Sequence, residues 1–131
     1  MLEMELVEVR QDETRPEQVI ILQEKEGERR MPIIIGHFEA QSMYIVLNNI
    51  QVPRPLTHDL LKRTIERLGA RLDRIVINKL ENNTFFALLV LGTDGGQVEV
   101  DARPSDSICL ALRVGCPIFV EEEVLSQVSM N

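Results

Sequence analysis

Residues 72–112 read LDRIVINKLENNTFFALLVLGTDGGQVEVDARPSDSICLAL, and three changes of pattern within them decide the fold. Leu72–Leu80 and Thr84–Leu91 are rich in Ile, Val, Leu and Phe, and Glu81, Asn82 and Asn83 between them predict a hairpin. Asp94, Gly95 and Gly96 then turn the chain into a further strand, Gln97–Asp101. Beyond Arg103-Pro104 the period becomes helical. Ile108, Ala111 and Leu112 form the expected inner face, Ser105 the expected cap and Gly115 the stop. The stretch is a strand meander running into a capped helix.

The preceding residues follow a similar plan. Leu2–Arg10 alternates apolar and acidic residues, Val19–Gln23 makes a second strand, and Met31–Ile35 a third. A loop containing Pro16 and the turn Lys25-Glu26-Gly27-Glu28 separate them. After Gly36, the spacing of Ala40, Met43, Tyr44 and Leu47 predicts a helix over 37–48. Pro53 and Pro55 forbid its continuation. Thr57 is expected to cap a second helix with Leu61, Ile65 and Leu68 on its inner face and Gly69 at its end. A short strand over 117–120 and a last short helix over 122–128 complete an α+β reading: two antiparallel strand meanders with three main helices, one compact domain spanning residues 1–131.

At 131 residues the chain can bury about two thirds of its unfolded surface in one core. With four Phe, one Tyr and no Trp, that core must be built from Ile, Leu and Val, which suits a sheet packed against helices. The longest apolar run, Phe85–Leu91, is strand-length, so no membrane span is expected. The alternating acidic start does not resemble a secretory leader, and a cytoplasmic protein is expected. Cys109 and Cys116, without His neighbours, are read as reduced, packed thiols rather than metal ligands or a disulfide framework.

A net charge of −7 argues against nucleic-acid binding by the surface as a whole. The average hides an asymmetry. Acid collects in Glu3, Glu5, Glu8 and Glu121–Glu123, while Arg54, Lys62, Arg63, Arg67, Arg71 and Arg74 meet only Asp59, Glu66 and Asp73 in their segment. The stripe Arg63, Arg67, Arg71 and Arg74, along one side of the second helix and its exit, is therefore a candidate surface for a nucleic-acid backbone, with a solvated face as the plainer explanation.

Two turns concentrate the remaining polar chemistry and share a grammar: Arg-Pro, a hydroxyl residue, an Asp, then an apolar helix. One is Arg54-Pro55-Leu56-Thr57-His58-Asp59, the other Asp101-Ala102-Arg103-Pro104-Ser105-Asp106. Each has a structural explanation, a capped helix start with a carboxylate in its positive first turn. Each also has a catalytic one. Asp101 and Asp106 are oxygen ligands suited to a divalent cation, Mg2+ or Mn2+, and Arg54 and Arg103 suit bidentate contact with a phosphate. His58, with Asp59 beside it, is the candidate general base, and His37 its competitor. The chain lacks a Gly-rich phosphate loop, a GxSxG elbow, HExxH and paired CxxC, which discards nucleotide-triphosphate, serine-hydrolase and zinc chemistry.

The phrases RPLTHDLL (54–61) and VDARPSDSICLALR (100–113) resemble signature phrases of the bifunctional nuclease domain family. Met31–Gly36 with Glu39-Ala40 is similar to its LPI-x-IG-x-x-EA phrase, and Val114–Val120 to its closing G-x-PI-x-V phrase, so the resemblance covers residues 2 to 128. It implies a nuclease acting on both DNA and RNA. The roles assigned above to His58, Asp59, Arg54, Arg63, Arg67, Arg103, Asp101 and Asp106 come from residue chemistry rather than from the family. The alternative is a non-enzymatic interaction or regulatory domain, its Arg-Pro turns serving as salt-bridge networks. In either case strand edges from two meanders make a homodimer the expected assembly.

Overall fold

The computed structural model describes residues 1–129. The first meander consists of β1 (Leu2–Arg10), β2 (Glu17–Glu24) and β3 (Arg30–Gly36), followed by α1 (His37–Leu47) and α2 (Thr57–Arg67). The second consists of β4 (Arg71–Glu81), β5 (Thr84–Thr93) and β6 (Gly96–Ala102), followed by α3 (Pro104–Val114), β7 (Ile118–Val120) and α4 (Glu122–Val128). The expected α+β architecture with two antiparallel meanders is present. Asn82 and Asn83 both take positive φ (50° and 62°), the tight hairpin conformation that matches strand twist.

The two meanders are joined into one seven-stranded sheet in the order β3-β2-β1-β7-β4-β5-β6. The joint is the three-residue β7. It pairs antiparallel with β1 (Leu2↔Val120) and parallel with β4 (Ile75↔Ile118), so β3 and β6 become the edges. The core lies between this sheet and the helices, where Ile20, Leu22 and Ile33 from one meander meet Ile75, Ile77 and Leu89 from the other around Met43, Ile108 and Leu110. Arg29 ties the β2–β3 turn to α4, bonding Glu24 at 2.9 Å and Glu122 at 2.8 Å.

Helix α3 is the centre of the helical layer. It packs on α1, α2, β4 and β5, and Ser105, Ser107, Ile108, Cys109, Leu110 and Ala111 are all buried. Its inward face is therefore wider than the expected Ile108, Ala111 and Leu112 stripe. The start also differs. Pro104 occupies the first helical position, where its missing N–H costs nothing, so the boundary residue is Arg103 and Ser105 already lies inside the helix. Thr57 likewise begins α2 rather than capping it; the Leu56 N–H is taken by the Asp59 carboxylate at 2.9 Å.

The expected inner face of α2 is corrected. Leu68 is 80% exposed and Leu61 is exposed as well, leaving Ile65 as the one residue of the three that packs against the core. The helix is rotated so that His58, Lys62 and Ile65 turn inward, at the i, i+4, i+7 spacing of one face. Its main partner is α3, reached through a polar seam.

Candidate functional site

That polar seam gathers side chains from three helices. Helix α1 contributes Glu39 and Ser42, α2 contributes His58 and Asp59, and α3 contributes Arg103 and Asp106 at its start and Arg113 at its end. His58, although at the first turn of α2, is only 8% exposed. Its Nε2 lies 2.9 Å from Asp106 Oδ1 and its Nδ1 lies 2.7 Å from Ser42 Oγ. A carboxylate can only accept, so Nε2–H donates to Asp106 and Nδ1 accepts from the Ser42 hydroxyl. The two Arg-Pro turns thus converge through His58 and Asp106.

Arg103 closes the outer side of this cluster. Its Nε and Nη2 donate to Asp106 Oδ2 at 2.9 and 2.8 Å, and Nη1 lies 3.3 Å from Glu39 Oε1. The hydrogen bond donated to Asp106, then the nearby charges of Asp106 and Glu39, hold the guanidinium above its ordinary pKa against the opposing effect of burial. The Arg103 side chain is 66% exposed, whereas that of Glu39 is largely covered. A planar, always-charged donor fork therefore sits at the mouth of a pair of carboxylates, a geometry suited to exchanging one anion for another.

The inner side is held by Arg113, whose side chain is 5% exposed. Its Nε donates to Asp59 Oδ1 at 2.7 Å, Nη1 to the Cys109 carbonyl at 3.1 Å and Nη2 to the Ser42 carbonyl at 3.3 Å. Burial raises the Asp59 carboxyl, but the Leu56 N–H bond and the Arg113 guanidinium outweigh it and leave the group below its ordinary value. Asp59 thus fixes the start of α2 to the end of α3, next in sequence to His58.

The other expected residues fall in different places. Arg54 and Arg63 line a cavity beside α2 that borders the seam at Asp59 and Arg113, and Arg67 is exposed outside it. Arg71 is paired with Asp73 at 2.9 Å, and the buried Arg74 Nε has no hydrogen-bond partner, so Arg63, Arg67, Arg71 and Arg74 do not form a uniform stripe. Asp101 pairs with Leu88 across the β5–β6 ladder. It lies on the opposite face of β6 from Ala102, which packs on the core, and joins no ion pair among the described residues. Among the described residues no three carboxylate, imidazole or thiol groups cluster so as to hold a metal ion. The donor set among the described residues does not make a protein-built cation cage. His37, the competing histidine, is exposed and stacks edge-on against Phe38.

The local pattern of the Arg-Pro turns does not mark Ser42, Glu39 or Arg113, which join the seam only in the folded chain. The signal for Arg113 was present: an arginine four residues beyond Cys109 on a helix otherwise apolar over 108–112 must be carried inward and needs a buried anion.

Residues 20–131 match the family model described as the bifunctional nuclease domain. An uncharacterized protein of Mycobacterium tuberculosis (strain ATCC 25618 / H37Rv) is 41% identical over 130 residues, covering 99% of this chain and 77% of its own. Bifunctional nuclease 1 of Oryza sativa subsp. japonica is 28% identical over 116 residues, 86% of this chain and 35% of that protein. Bifunctional nuclease 2 of Arabidopsis thaliana is 27% identical over 111 residues, 82% of this chain and 34% of that protein. The chain thus spans about a third of the length of these plant relatives. No helix among the described residues is long and apolar enough to cross a membrane.

Proposed function

Because this chain belongs to the bifunctional nuclease domain family, we propose that it hydrolyses phosphodiester bonds in DNA and RNA at the seam where the two Arg-Pro turns meet. The observation that carries the reading is the contact of His58 with Asp106 beneath the exposed Arg103 fork. A phosphate entering there competes with Asp106 for the Arg103 donors and neutralises them in turn. Water attacks phosphorus, its proton passes to the Asp106 oxygen that Arg103 has released, and the ester P–O bond breaks with the leaving oxygen protonated from solvent. His58 donates to the other Asp106 oxygen and holds the carboxylate in line, so it takes part in proton transfer through Asp106. Asp59 and Arg113 are positioning residues, Arg54 and Arg63 contact the strand beside α2, and Arg67 extends that contact.

The test is cleavage of labelled single-stranded RNA and double-stranded DNA by highly purified protein, with Mg2+, Mn2+ or chelator. Asp106→Asn and Arg103→Ala variants run alongside, with folding checked by circular dichroism. Cutting lost in a folded variant supports the reading, and the chelator arm reads any need for a cation brought in with the substrate. Equal traces in wild type and variants would sink it.

A non-enzymatic interaction domain is the second reading, and one observation favours it: each charged or polar side chain of the seam is already satisfied by another. The exposed β3 and β6 edges and the uncovered Leu60 and Leu68 would then serve a second copy of the chain. A sedimentation mass equal to the 15.0 kDa monomer at micromolar concentration would remove the homodimer. The free state of both cysteines supports a reducing compartment, the cytoplasm.

A further inference from the structure

Between the 48–56 connection and α2 lies a cavity of about 520 Å3, within the range of small-ligand sites. Four cations and two carboxylates line it, in a chain whose net charge is −7. Asp59 is already engaged by Arg113, and among the described residues Arg54, Lys62, Arg63 and Glu66 form no ion pair, so three unpaired cations face one unpaired carboxylate. Unpaired cations repel one another, so bringing three together in a concavity is favourable when an anion completes it. The 48–56 connection supplies an apolar wall of Ile50, Val52 and Pro53 beside Arg54. Ile50 and Val52 are partly uncovered, as residues that await a flat apolar group would be.

A ligand that matches both walls carries a phosphate at one end and a planar apolar surface at the other. We infer that this cavity is a subsite for one nucleotide, its phosphate on Arg54, Lys62 and Arg63 and its base against Ile50, Val52 and Pro53. The inference rests on the phosphodiesterase reading for its direction, since the Asp59–Arg113 pair is shared between the cavity wall and the catalytic seam. A nucleotide seated here belongs to the strand whose neighbouring phosphate reaches Arg103. The guanidinium of Arg54 also offers a face on which a base stacks. Because the subsite is built for one unit, it also takes a free mononucleotide, which then competes with the strand.

Calorimetric titration of the full chain with AMP, dAMP, adenosine and inorganic phosphate tests this, followed by AMP inhibition of cleavage. AMP or dAMP is expected to bind at least tenfold more tightly than either adenosine or phosphate. Arg54→Ala combined with Arg63→Ala, both at exposed positions, is expected to lose at least tenfold in affinity, and Ile50→Glu to lose binding on the apolar side. AMP is expected to inhibit competitively, and Asp106→Asn to bind AMP while failing to cut. Wild type that binds AMP as described yet cuts nothing would sink the nuclease reading and leave the subsite standing. Cutting without AMP binding, binding of phosphate equal to that of AMP, or AMP affinity unchanged in the double arginine variant would each overturn the subsite.

Discussion

Replacing Arg113 with methionine keeps most of the side-chain volume and removes the guanidinium that joins α1, α2 and α3. The change deletes the 2.7 Å ion pair to Asp59 and the hydrogen bonds to the Cys109 and Ser42 carbonyls. Removing one partner of a fully buried pair costs about 3–5 kcal/mol, because the other charge is stranded. Asp59 keeps 28% of its side chain in solvent and retains the Leu56 N–H bond, which moves the expectation to the lower end, about 3 kcal/mol. For a chain of this size that is a fall in Tm of about 12 °C. Urea and thermal denaturation of wild type, Arg113→Met, Asp59→Asn and the double variant complete a cycle. The double variant should cost less than the sum of the singles by about 1.5–3 kcal/mol. A loss below about 1 kcal/mol for Arg113→Met, or a coupling indistinguishable from zero, would refute the claim that this pair holds α2 on α3.

The same pair carries a pH dependence. Asp59 is held below its ordinary value of 3.8, so its stabilisation is complete above that value and is lost as pH falls through the lower folded one; urea midpoints measured from about pH 5 to pH 2 should fall more steeply in wild type than in Asp59→Asn. Gly115, with φ of 83° at the end of α3, has open space where a Cβ would stand. Gly115→Ala should therefore cost the backbone penalty alone, about 1–2 kcal/mol by chemical denaturation, and a neutral result would show that the turn relaxes. Burial pushes the thiols of Cys109 and Cys116 up to about 11. Iodoacetamide at about pH 8 should label both more than about tenfold slower in the folded protein than in denaturant, and rapid labelling of either would contradict that burial.

The strands and helices were legible because their signals are local. Alternation in Leu2–Arg10, the Asn82-Asn83 turn and the helical spacing of Ala40, Met43 and Leu47 each depend on residues a few positions apart. Those elements came out at nearly the expected boundaries. The grammar of the Arg-Pro turns likewise marked His58, Arg103 and Asp106, and these meet in one seam.

What was not local was not legible. The joining of two meanders into a single sheet depends on β7, whose three residues pair with strands over 40 and over 110 positions away, and no short-range pattern encodes such partners. The apolar stripe of α2 was readable, but not which side of the helix would meet another layer. The structure turns His58 inward because Ser42 and Asp106 satisfy both ring nitrogens, and leaves Leu68 outside. Asp101 and Asp106 stand five residues apart, yet the strand pleat aims Asp101 away from the helical layer that Asp106 joins. Residue types and their spacing specify which chemistry a chain carries; which groups meet follows from how elements dock, and docking is settled by the burial of distant surfaces against one another.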